Sequence, residues 1–291
     1  MSERPTSHAP SVREILVKTE RYLADKGVDA PKLSAQLVVA QALGLDRLGL
    51  LLAMDRPLTP DELDVVRPLV ARRGHGEPVA QILGVREFYG RDFAVTPATL
   101  VPRPETEGLV DRVKELFPDG RLAAFADLGT GSGCLAVTLA VEFPQAVGLA
   151  LDASPDALAL ARQNAARHNV GERLTFVDGD FTALPGLDGG YACIVSNPPY
   201  VSEAEYRECS REVRDFEPKS ALVPGPTGLE AIPVVAATAR KSLAPGGWLL
   251  VEIGWRQGPD AAALVASAGF VDVAVRRDLA GRDRLVEGRR P

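Results

Sequence analysis

The sequence of 291 residues predicts an α/β protein in which a doubly wound, mostly parallel sheet follows a small helical domain. Three observations predict this fold. A Gly-rich turn joins a buried strand to an apolar helix, successive apolar strands end in polar or aromatic residues, and the first 76 residues carry only helical periodicity. We therefore divide the chain into a helical domain at 1–76, a β-hairpin linker at 77–98 and a sheet domain at 99–291.

The helical domain begins with a capping box. Ser11 and Glu14 have the spacing that satisfies two N–H groups at a helix start, directly before an apolar helix face. Thr59 and Pro60 provide a cap and a first-turn proline for a later helix, with acids near the positive end of its dipole. The predicted helices are 12–26, 31–43, 48–54 and 60–74.

The segment that follows predicts a hairpin and then a helix. Alternating apolar residues at 79–89 and 92–96 indicate two strands that turn at Gly90-Arg91. The prolines and acid of Pro102-Arg103-Pro104-Glu105 are typical of a helix start, and a helix is predicted at 108–117. Glu105 and Glu107 are interpreted as acids of that helix start and are not assigned as a general base.

A ligand site is predicted at the ends of two successive strands. The strand at 123–127 leads into the turn Asp127-Leu128-Gly129-Thr130-Gly131-Ser132-Gly133, and the next strand, at 147–151, ends at Asp152. Glycines allow the backbone to approach a ligand, and an acid in that place accepts ribose hydroxyls. A dinucleotide fingerprint needs its third glycine at Cys134, and Asp127 would repel a pyrophosphate. An ammonium and a sulfonium suit Asp127, which favours S-adenosylmethionine. A plain strand–helix connection explains one such glycine but not three. The predicted cofactor residues here are Asp127, Gly129, Thr130, Gly131, Ser132, Gly133 and Asp152.

The third strand adds the adenine end of the same site. It is predicted at 174–177 and is followed by Asp180 and Phe181. Asp180 can accept from the adenine amino group, and Phe181 can stack on the ring. Taken singly, the two would be a turn residue and a core anchor.

The fourth strand, at 191–195, leads into Asn197-Pro198-Pro199-Tyr200. A planar NH2 group is a poor nucleophile because its lone pair is delocalised, so an enzyme must accept from both N–H groups and aim the lone pair. The Asn197 side-chain oxygen and the Pro198 carbonyl are suitable acceptors, and the Tyr200 ring can pack on the planar group. The segment predicts methyl transfer to an amide or amino nitrogen. Asn197, Pro198 and Tyr200 are the catalytic candidates, and all four residues are substrate-binding candidates. In isolation, the segment is equally a Pro-rich turn.

The end of the chain completes the sheet. Strands are predicted at 248–253, after the turn Pro245-Gly246-Gly247, and at 271–275 and 285–287, with a helix at 259–267. The total is seven strands, the number in a class I (Rossmann-like) S-adenosylmethionine-dependent methyltransferase sheet, with the last strand antiparallel.

Two further stretches carry a family resemblance, Arg86-Glu87-Phe88-Tyr89-Gly90 and Thr99-Leu100-Val101-Pro102-Arg103-Pro104-Glu105-Thr106-Glu107. With the Gly-rich turn and Asn197-Pro198-Pro199-Tyr200, they resemble the bacterial release-factor glutamine methyltransferases of the HemK/PrmC type, over nearly the whole chain. The resemblance implies direct methyl transfer from S-adenosylmethionine to the side-chain amide nitrogen of the Gln in the Gly-Gly-Gln loop of peptide-chain release factors. It also implies that the Pro-Arg-Pro-Glu segment walls the substrate pocket. The cofactor positions it implies are Gly129 to Gly133, Asp152, Phe181 and Asn197.

Composition limits the alternatives. A net charge of −6 and a pI near 5.3 argue against a dedicated nucleic-acid binder. No apolar run approaches the ~20 residues of a membrane span, and the polar start at 1–11 is no signal peptide. These two absences predict a cytoplasmic protein, which we expect to be a monomer. The cysteines and histidines have no metal-type or redox spacing, so we expect no metal. These residues are Cys134, Cys193, Cys209, His8, His75 and His168.

Three functions remain open from the residues. The first is a protein-glutamine methyltransferase whose helical domain recognises release factors, although that domain is alternatively a packing appendage. The second is a nucleic-acid methyltransferase for exocyclic amines, which predicts strongly salt-dependent nucleic-acid binding that an acidic chain disfavours. The third is a nucleoside-binding protein without catalysis, which leaves Asn197 to Tyr200 unexplained.

Overall fold

The computed structural model describes residues 9–187 and 190–291. His8 and most of the polar start at 1–11 lie outside the described residues. The chain forms two compact units. The first, the helical unit, contains the described residues up to Gly84 together with Arg211–Phe216, and the second, the sheet unit, contains Val85–Ser210 and Glu217–Pro291.

The helical unit is built on the predicted capping boxes. The Ser11 side chain accepts from the backbone of Glu14, whose carboxylate accepts from the Ser11 N–H, and Thr59 and Glu62 repeat this arrangement. Apolar faces of the helices form one buried core. The helices α1 to α5 are Val12–Asp25, Pro31–Ala42, Arg47–Leu52, Pro60–Gly74 and Val79–Leu83.

Helix α10, Arg211–Phe216, belongs to the helical unit although it lies far along the sequence. The buried Arg73 places Nη1 2.8 Å from a carboxylate oxygen of Glu212. Gln81 donates to the Phe216 carbonyl at 3.0 Å. These polar contacts of buried side chains hold α10 against α4 and α5.

The sheet unit contains a hairpin and a seven-stranded sheet. The hairpin strands β1 and β2 are Val85–Phe88 and Arg91–Ala94. The sheet strands β3 to β9 are Ala124–Leu128, Val147–Asp152, Leu174–Asp178, Tyr191–Ser196, Leu243–Glu252, Val271–Arg277 and Asp283–Arg289. The helices α6 to α9, α11 and α12 are Glu107–Leu116, Cys134–Glu142, Pro155–Arg167, Glu203–Glu208, Ala231–Ser242 and Gly258–Ser267.

The strand order in the sheet is β5-β4-β3-β6-β7-β9-β8. The five strands β3 to β7 are parallel, and β9 runs antiparallel to both of its neighbours. The predicted seven strands with an antiparallel last strand are therefore confirmed. Because β3 lies beside both β4 and β6, the Gly-rich turn and the Asn197 loop leave the same edge of the sheet.

Both faces of the sheet are covered. Helices α6 and α7 pack on one face, where Phe125, Leu139 and Leu250 are buried. Helices α11 and α12 pack on the other face, where Ile232 and Val265 are buried. Central parallel strands are consequently apolar on both sides, which explains their continuous apolar sequence.

The predicted strand at 79–89 is wrong in its first half, since Val79–Leu83 is helix α5 and only Val85–Phe88 is a strand. Gly84, at φ 70°, ends the helix in the left-handed conformation. The hairpin packs in the sheet core through Phe88 and Phe93, whose rings meet edge to face at 6.0 Å. The hairpin thus lies in the sheet unit, and the two units divide after Gly84, beyond the predicted boundary at 76/77.

Strand β7 also differs from its prediction. It begins at Leu243, not Trp248, so that the predicted turn Pro245-Gly246-Gly247 lies within the strand. The register against β6 shifts between Tyr191 and Cys193, which accommodates these residues. Among the described residues, no helix has the length and apolar character to span a bilayer.

Two glycines of the sheet unit should respond to alanine in opposite ways. A Cβ on Gly148 would overlap the Phe125 ring and lie 2.6 Å from Leu174 Cδ2, so Gly148→Ala should destabilise the protein by about 1–3 kcal/mol. Gly108, exposed in α6, has no atom within 4 Å of that position, so Gly108→Ala should stabilise by about 0.5–1 kcal/mol. Urea unfolding of both variants tests this pair, and equal effects would contradict the packing described here.

Candidate active site

The loops that follow β3, β4, β5 and β6 border one cavity of about 430 Å³ within the sheet unit. Parallel strands bring their carboxyl ends to the same edge, which is where doubly wound sheets bind ligands. The predicted site residues that line this cavity are Gly129, Thr130, Gly131, Ser132, Asp152, Asp180, Phe181, Asn197 and Pro199. The predicted site residues outside its lining are Asp127, Gly133, Pro198 and Tyr200.

The Gly-rich turn folds back onto the end of β4. The N–H groups of Gly129 and Thr130 donate to the Leu151 carbonyl at 2.8 and 2.9 Å. Gly131 donates its N–H to Asp152 Oδ2 at 2.8 Å. The three glycines of the turn have φ values between 56° and 81°, a region that other residues rarely adopt. This backbone path therefore requires glycine.

Gly131 and Gly133 have different surroundings. A Cβ on Gly131 would meet no atom within 4 Å, and the residue lines the cavity. A Cβ on Gly133 would lie 3.0 Å from the Ala161 Cβ, where α7 starts against α8. Gly131 thus leaves room for a ligand, whereas Gly133 allows two helices to pack closely.

Asp127 lies behind the turn and is 0% exposed. Its Oδ2 accepts from the Thr130 hydroxyl at 2.7 Å and from the Ala136 N–H at 3.2 Å. Its Oδ1 has no hydrogen-bond partner among the described residues. Burial raises the pKa of Asp127 to about 7, against the hydrogen bonds from Thr130 and Ala136. The carboxylate therefore holds the turn from behind, outside the cavity lining.

The two predicted nucleoside acids also hold their own loops. Asp152 accepts from the Ser154 N–H at 2.9 Å as well as from the Gly-rich turn. Asp180 accepts from the hydroxyl and the N–H of Thr182, and these hydrogen bonds lower its pKa. A carboxylate offers about four acceptor positions, so both groups retain capacity for ligand hydroxyl or amino donors.

Phe181 forms the wall above the turn. A Cβ on Gly129 would lie 3.2 Å from two ring atoms of Phe181, so the ring directly covers this glycine. The Phe181 carbonyl accepts from the Thr238 hydroxyl at 2.5 Å, which fixes the backbone beneath it. The half-buried ring lines the cavity, as expected of a residue that stacks on a base.

Asn197 follows Ser196, whose side chain links the ends of β6 and β3. The Ser196 hydroxyl donates to the Leu128 carbonyl at 2.6 Å. Asn197 is half-buried, and its Nδ2 donates to Thr106 Oγ1 at 3.2 Å. Its Oδ1 and the carbonyl of the buried Pro198 accept no hydrogen bond from the described residues. The loop thus carries two adjacent acceptors that the fold leaves unused.

Tyr200 lies behind this loop. Its hydroxyl donates to Glu252 Oε1 at 3.1 Å, and its carbonyl accepts from Gln257 Nε2 at 2.9 Å. Burial, followed by the Glu252 charge, raises the pKa of the Tyr200 hydroxyl. These contacts hold the loop in place, and packing of the ring on a substrate stays a prediction.

The family resemblance implied Arg103 only as part of a segment that walls the substrate pocket, and neither Thr106 nor Glu252 was among the predicted site residues. Arg103 lines the cavity and donates through Nη2 to both carboxylate oxygens of the buried Glu217 at 2.8 Å. Thr106, 2% exposed, also lines the cavity. The available signals were the Pro-Arg-Pro-Glu-Thr stretch and the single acid at the end of the apolar strand β7. Neither signal indicates which contacts the side chains make.

Asn164 is a buried polar residue of α8 that the sequence analysis also missed. Its Oδ1 accepts from the Ala94 N–H at 2.8 Å, and its Nδ2 donates to the Ala94 carbonyl at 3.0 Å and the Ser132 carbonyl at 2.8 Å. Asn164 therefore joins the hairpin to the Gly-rich turn. A single Asn within a helical pattern does not predict such a bridge.

Comparisons with known proteins identify the family. A family model described as PrmC N-terminal domain matches residues 14–84, and one described as methyltransferase domain matches residues 125–216. A release factor glutamine methyltransferase of Nitratidesulfovibrio vulgaris is 50% identical over 100% of this chain and 98% of the relative. One from Geobacter sulfurreducens is 42% identical over 99% of both chains. The chain belongs to the release factor glutamine methyltransferase family.

A solved structure extends the comparison of the fold. The hMettl16 catalytic domain in complex with MAT2A 3'UTR hairpin 6 is 15% identical and has a TM-score of 0.54, over 79% of this chain and 81% of that chain. At this identity the likeness concerns the fold alone.

The cavity fits S-adenosylmethionine, the cofactor of this methyltransferase. The open space at Gly131 admits a ligand beside the backbone, whereas contact of the buried Asp127 with the ammonium group stays a prediction because this residue lies outside the cavity lining. Asp152 and Asp180 line the cavity and would suit ribose hydroxyls and the adenine amino group as donors, and the Phe181 ring in the same lining would suit stacking on the base. These residues would hold the cofactor at the carboxyl edge of the sheet.

Alanine substitutions at Gly131 and Gly133 should distinguish an effect on cofactor binding from an effect on protein stability. Gly131→Ala places its Cβ in the cavity and should weaken S-adenosylmethionine binding at least about tenfold, with a stability loss of about 1–2 kcal/mol from the positive φ. Gly133→Ala adds the contact with Ala161 and should cost more stability. Calorimetric binding and urea unfolding measure both effects. Unchanged affinity in Gly131→Ala would contradict the assignment of the cavity.

The buried Asp127 should make stability pH-dependent. Because its folded-state pKa of about 7 exceeds the ordinary 3.8, its contribution to stability is full below pH ~4 and is lost as the pH rises through 7. Asp127→Asn removes this loss. Without cofactor, the free energy of unfolding of Asp127→Asn relative to that of wild type should rise by roughly 2 kcal/mol from pH 5 to pH 8.

Urea unfolding at the two pH values measures this gain. The exposed Asp119→Asn serves as the control and should show the same difference from wild type at both pH values. A pH-independent difference for Asp127→Asn would show that the carboxyl is not held protonated by its surroundings.

Proposed function

We propose that this protein methylates the side-chain amide nitrogen of the Gln in the Gly-Gly-Gln motif of peptide-chain release factors, with S-adenosylmethionine as the donor. The observation that carries the proposal is the pair of free acceptors at Asn197 Oδ1 and the Pro198 carbonyl, beside the cofactor cavity. A primary amide presents two N–H groups in one plane, which such a pair can accept. The named relatives support the choice of a glutamine amide.

The two acceptors at Asn197 and Pro198 act by orienting the substrate amide. S-adenosylmethionine, when bound, supplies the methyl group as an electrophile. Asn197 and Pro198 hold the two N–H groups so that the amide lone pair faces into the cavity. As the nitrogen gains its fourth substituent, its N–H groups become more acidic, and both acceptors bind it more tightly than in the ground state.

A strong base is not required by this arrangement. The proton is lost to water after the nitrogen has become cationic. Glu107 accepts from the Tyr89 N–H at 2.9 Å, a contact that supports its interpretation as a structural acid of the helix start. Glu105 is not assigned a role in the reaction.

Recognition of the release factor is assigned to the helical unit, since the cofactor cavity is lined by the sheet unit. The net charge of −6 supports a protein substrate over nucleic acid. We place the enzyme in the cytoplasm, where translation termination takes place, and assign it as a monomer. Gel filtration with light scattering tests the monomer assignment.

Mass spectrometry of a release factor after incubation with the enzyme and S-adenosylmethionine tests the function. The peptide that contains Gly-Gly-Gln should gain one methyl group on the Gln side chain. RNA and DNA oligonucleotides are included in the same reaction. Methyl groups on the nucleic acid and none on the release factor would replace the proposal by the exocyclic-amine reaction.

Asn197 variants test the catalytic centre. Asn197→Ala deletes one acceptor and should reduce the single-turnover rate about a hundredfold to a thousandfold, the effect of losing one preorganised polar group. Asn197→Asp keeps an acceptor and should be less impaired. Cofactor affinity, measured by calorimetry, should fall less than the rate in both.

The matched control is Asn169→Gly, which removes an exposed Asn from a left-handed turn at φ 58°. Its rate should equal that of wild type. A near wild-type rate for Asn197→Ala would leave the segment as a Pro-rich turn and remove the proposed catalytic role.

A further inference from the structure

The charged side chains that line the cofactor cavity are unevenly distributed. The two acids in the lining, Asp152 and Asp180, lie at the end of β4 and just after β5. The strand order places β6, and with it Asn197, on the other side of β3. Arg103 is the only lysine, arginine or histidine that the described residues contribute to this lining. The cavity therefore has acids on its β4–β5 side and a single cationic side chain.

The segment that carries Arg103 borders the β6 side of the cavity. The Thr106 hydroxyl oxygen accepts from Asn197 Nδ2 at 3.2 Å, which holds the segment beside the loop after β6. The Thr106 N–H donates to the Arg103 carbonyl at 3.1 Å, so one short helical turn joins the two residues. Arg103 thus belongs to the side of the cavity where methyl transfer is proposed.

The Arg103 guanidinium is held in place without using all of its donors. Nη2 donates to both carboxylate oxygens of Glu217 at 2.8 Å, and the Glu217 side chain is only 1% exposed. Pro102 and Pro104 flank Arg103 and restrict its backbone, which is extended at φ −101° and ψ 140°. The Nε and Nη1 N–H groups have no acceptor among the described residues. Since a guanidinium has five N–H donors, the fold fixes a cation that keeps free donors beside the cavity.

The cofactor has one group for which the predicted site provides no partner. S-adenosylmethionine carries an ammonium, a sulfonium and a carboxylate, and the predicted cofactor residues include no cationic side chain. Asp152 and Asp180 would repel a carboxylate placed near them. A guanidinium instead forms short, charge-assisted hydrogen bonds with a carboxylate, and a preorganised guanidinium loses little entropy in doing so.

We propose that Arg103 binds the carboxylate of the methionine moiety of S-adenosylmethionine. The adenosine then extends toward Asp152 and Asp180, and the methionine moiety extends toward the β6 side of the cavity. This inference concerns the cofactor alone. It does not depend on which nitrogen accepts the methyl group, and it is therefore tested by binding without release factor.

Decarboxylated S-adenosylmethionine tests this assignment, because it keeps the adenosine, the sulfonium and the ammonium and lacks only the carboxylate. Arg103→Met should weaken calorimetric binding of S-adenosylmethionine about tenfold to a hundredfold, the effect of losing hydrogen bonds between charged groups. S-adenosylhomocysteine keeps the carboxylate and should lose affinity by a similar factor. The affinity for the decarboxylated compound should change less than about threefold. Arg103→Lys keeps the charge without the planar fork and should recover part of the loss.

Arg112→Met is the matched control. Arg112 also pairs with a glutamate whose side chain is 1% exposed, Glu287, but Arg112 does not line the cofactor cavity. Both Arg→Met variants remove a partner from a buried carboxylate and should lose stability. Only Arg103→Met should lose affinity for the carboxylate-bearing ligands, and Arg112→Met should bind all three ligands like wild type.

Thermal unfolding gives a second readout. A ligand that binds the folded state raises the Tm according to its affinity. At one fixed concentration, S-adenosylmethionine should raise the Tm of Arg103→Met less than that of wild type, whereas the decarboxylated compound should raise both equally. If Arg103→Met does not fold because Glu217 is left unpaired, the double variant Arg103→Met/Glu217→Gln removes that charge and should show the same selective loss.

Three results would overturn the inference. An equal loss of affinity for S-adenosylmethionine and its decarboxylated form would show that Arg103 only supports the cavity wall. Unchanged affinity for both would show that the carboxylate is bound elsewhere. Unchanged affinity together with a raised KM for release factor would assign the guanidinium to the protein substrate. Each of these results leaves the proposed function in place, since that function is decided by the Asn197 variants and by the methylated product.

Discussion

The register of β3 between two parallel strands is the constraint on which the site depends. Leu128 pairs with Leu151 of β4 and with Ser196 of β6. The three strands therefore end at one level, and residues at or just after their ends, including Asp152 and Asn197, line the same cavity. A shift of one residue would turn every side chain of a strand to the opposite face and would also separate these loops. The same pairing thus sets the core and the active site.

Two buried carboxyl groups flank the site, and neither is explained by stability. Asp127 and Glu252 each have one oxygen without a hydrogen-bond partner among the described residues, and burial raises both pKa values to about 7. Apolar residues would fill these places at lower free energy. Asp127 instead accepts from Thr130, which borders the cavity, and Glu252 accepts from Tyr200 behind the Asn197 loop. Strain of this kind concentrates where side chains must hold a set direction.

Local patterns predicted the elements that local interactions determine. The capping box at Ser11, the Gly-rich turn and the continuous apolar strands were predicted correctly, because caps, positive φ and burial on both faces leave direct sequence signals. Helix Val79–Leu83 was missed because periodicity alone does not distinguish a helix from a strand in so short an apolar run. The placement of Arg211–Phe216 in the helical unit depends on a distant partner, Arg73, which no local pattern indicates.

Local sequence patterns predict even less of the contacts within the site. Spacing identified Asp127 and Asn197, but it could not tell that the first lies behind the turn or that the second is held by Thr106. An Asn amide has nearly equal donor and acceptor ends, so its identity alone does not state which end faces the substrate. In the structure the Asn197 NH2 group donates to Thr106, a residue of a distant segment, which leaves the amide oxygen without a partner among the described residues. Where chemistry depends on the orientation of a symmetric-looking group, the deciding residue is the one that removes the ambiguity, and it need not contact the substrate.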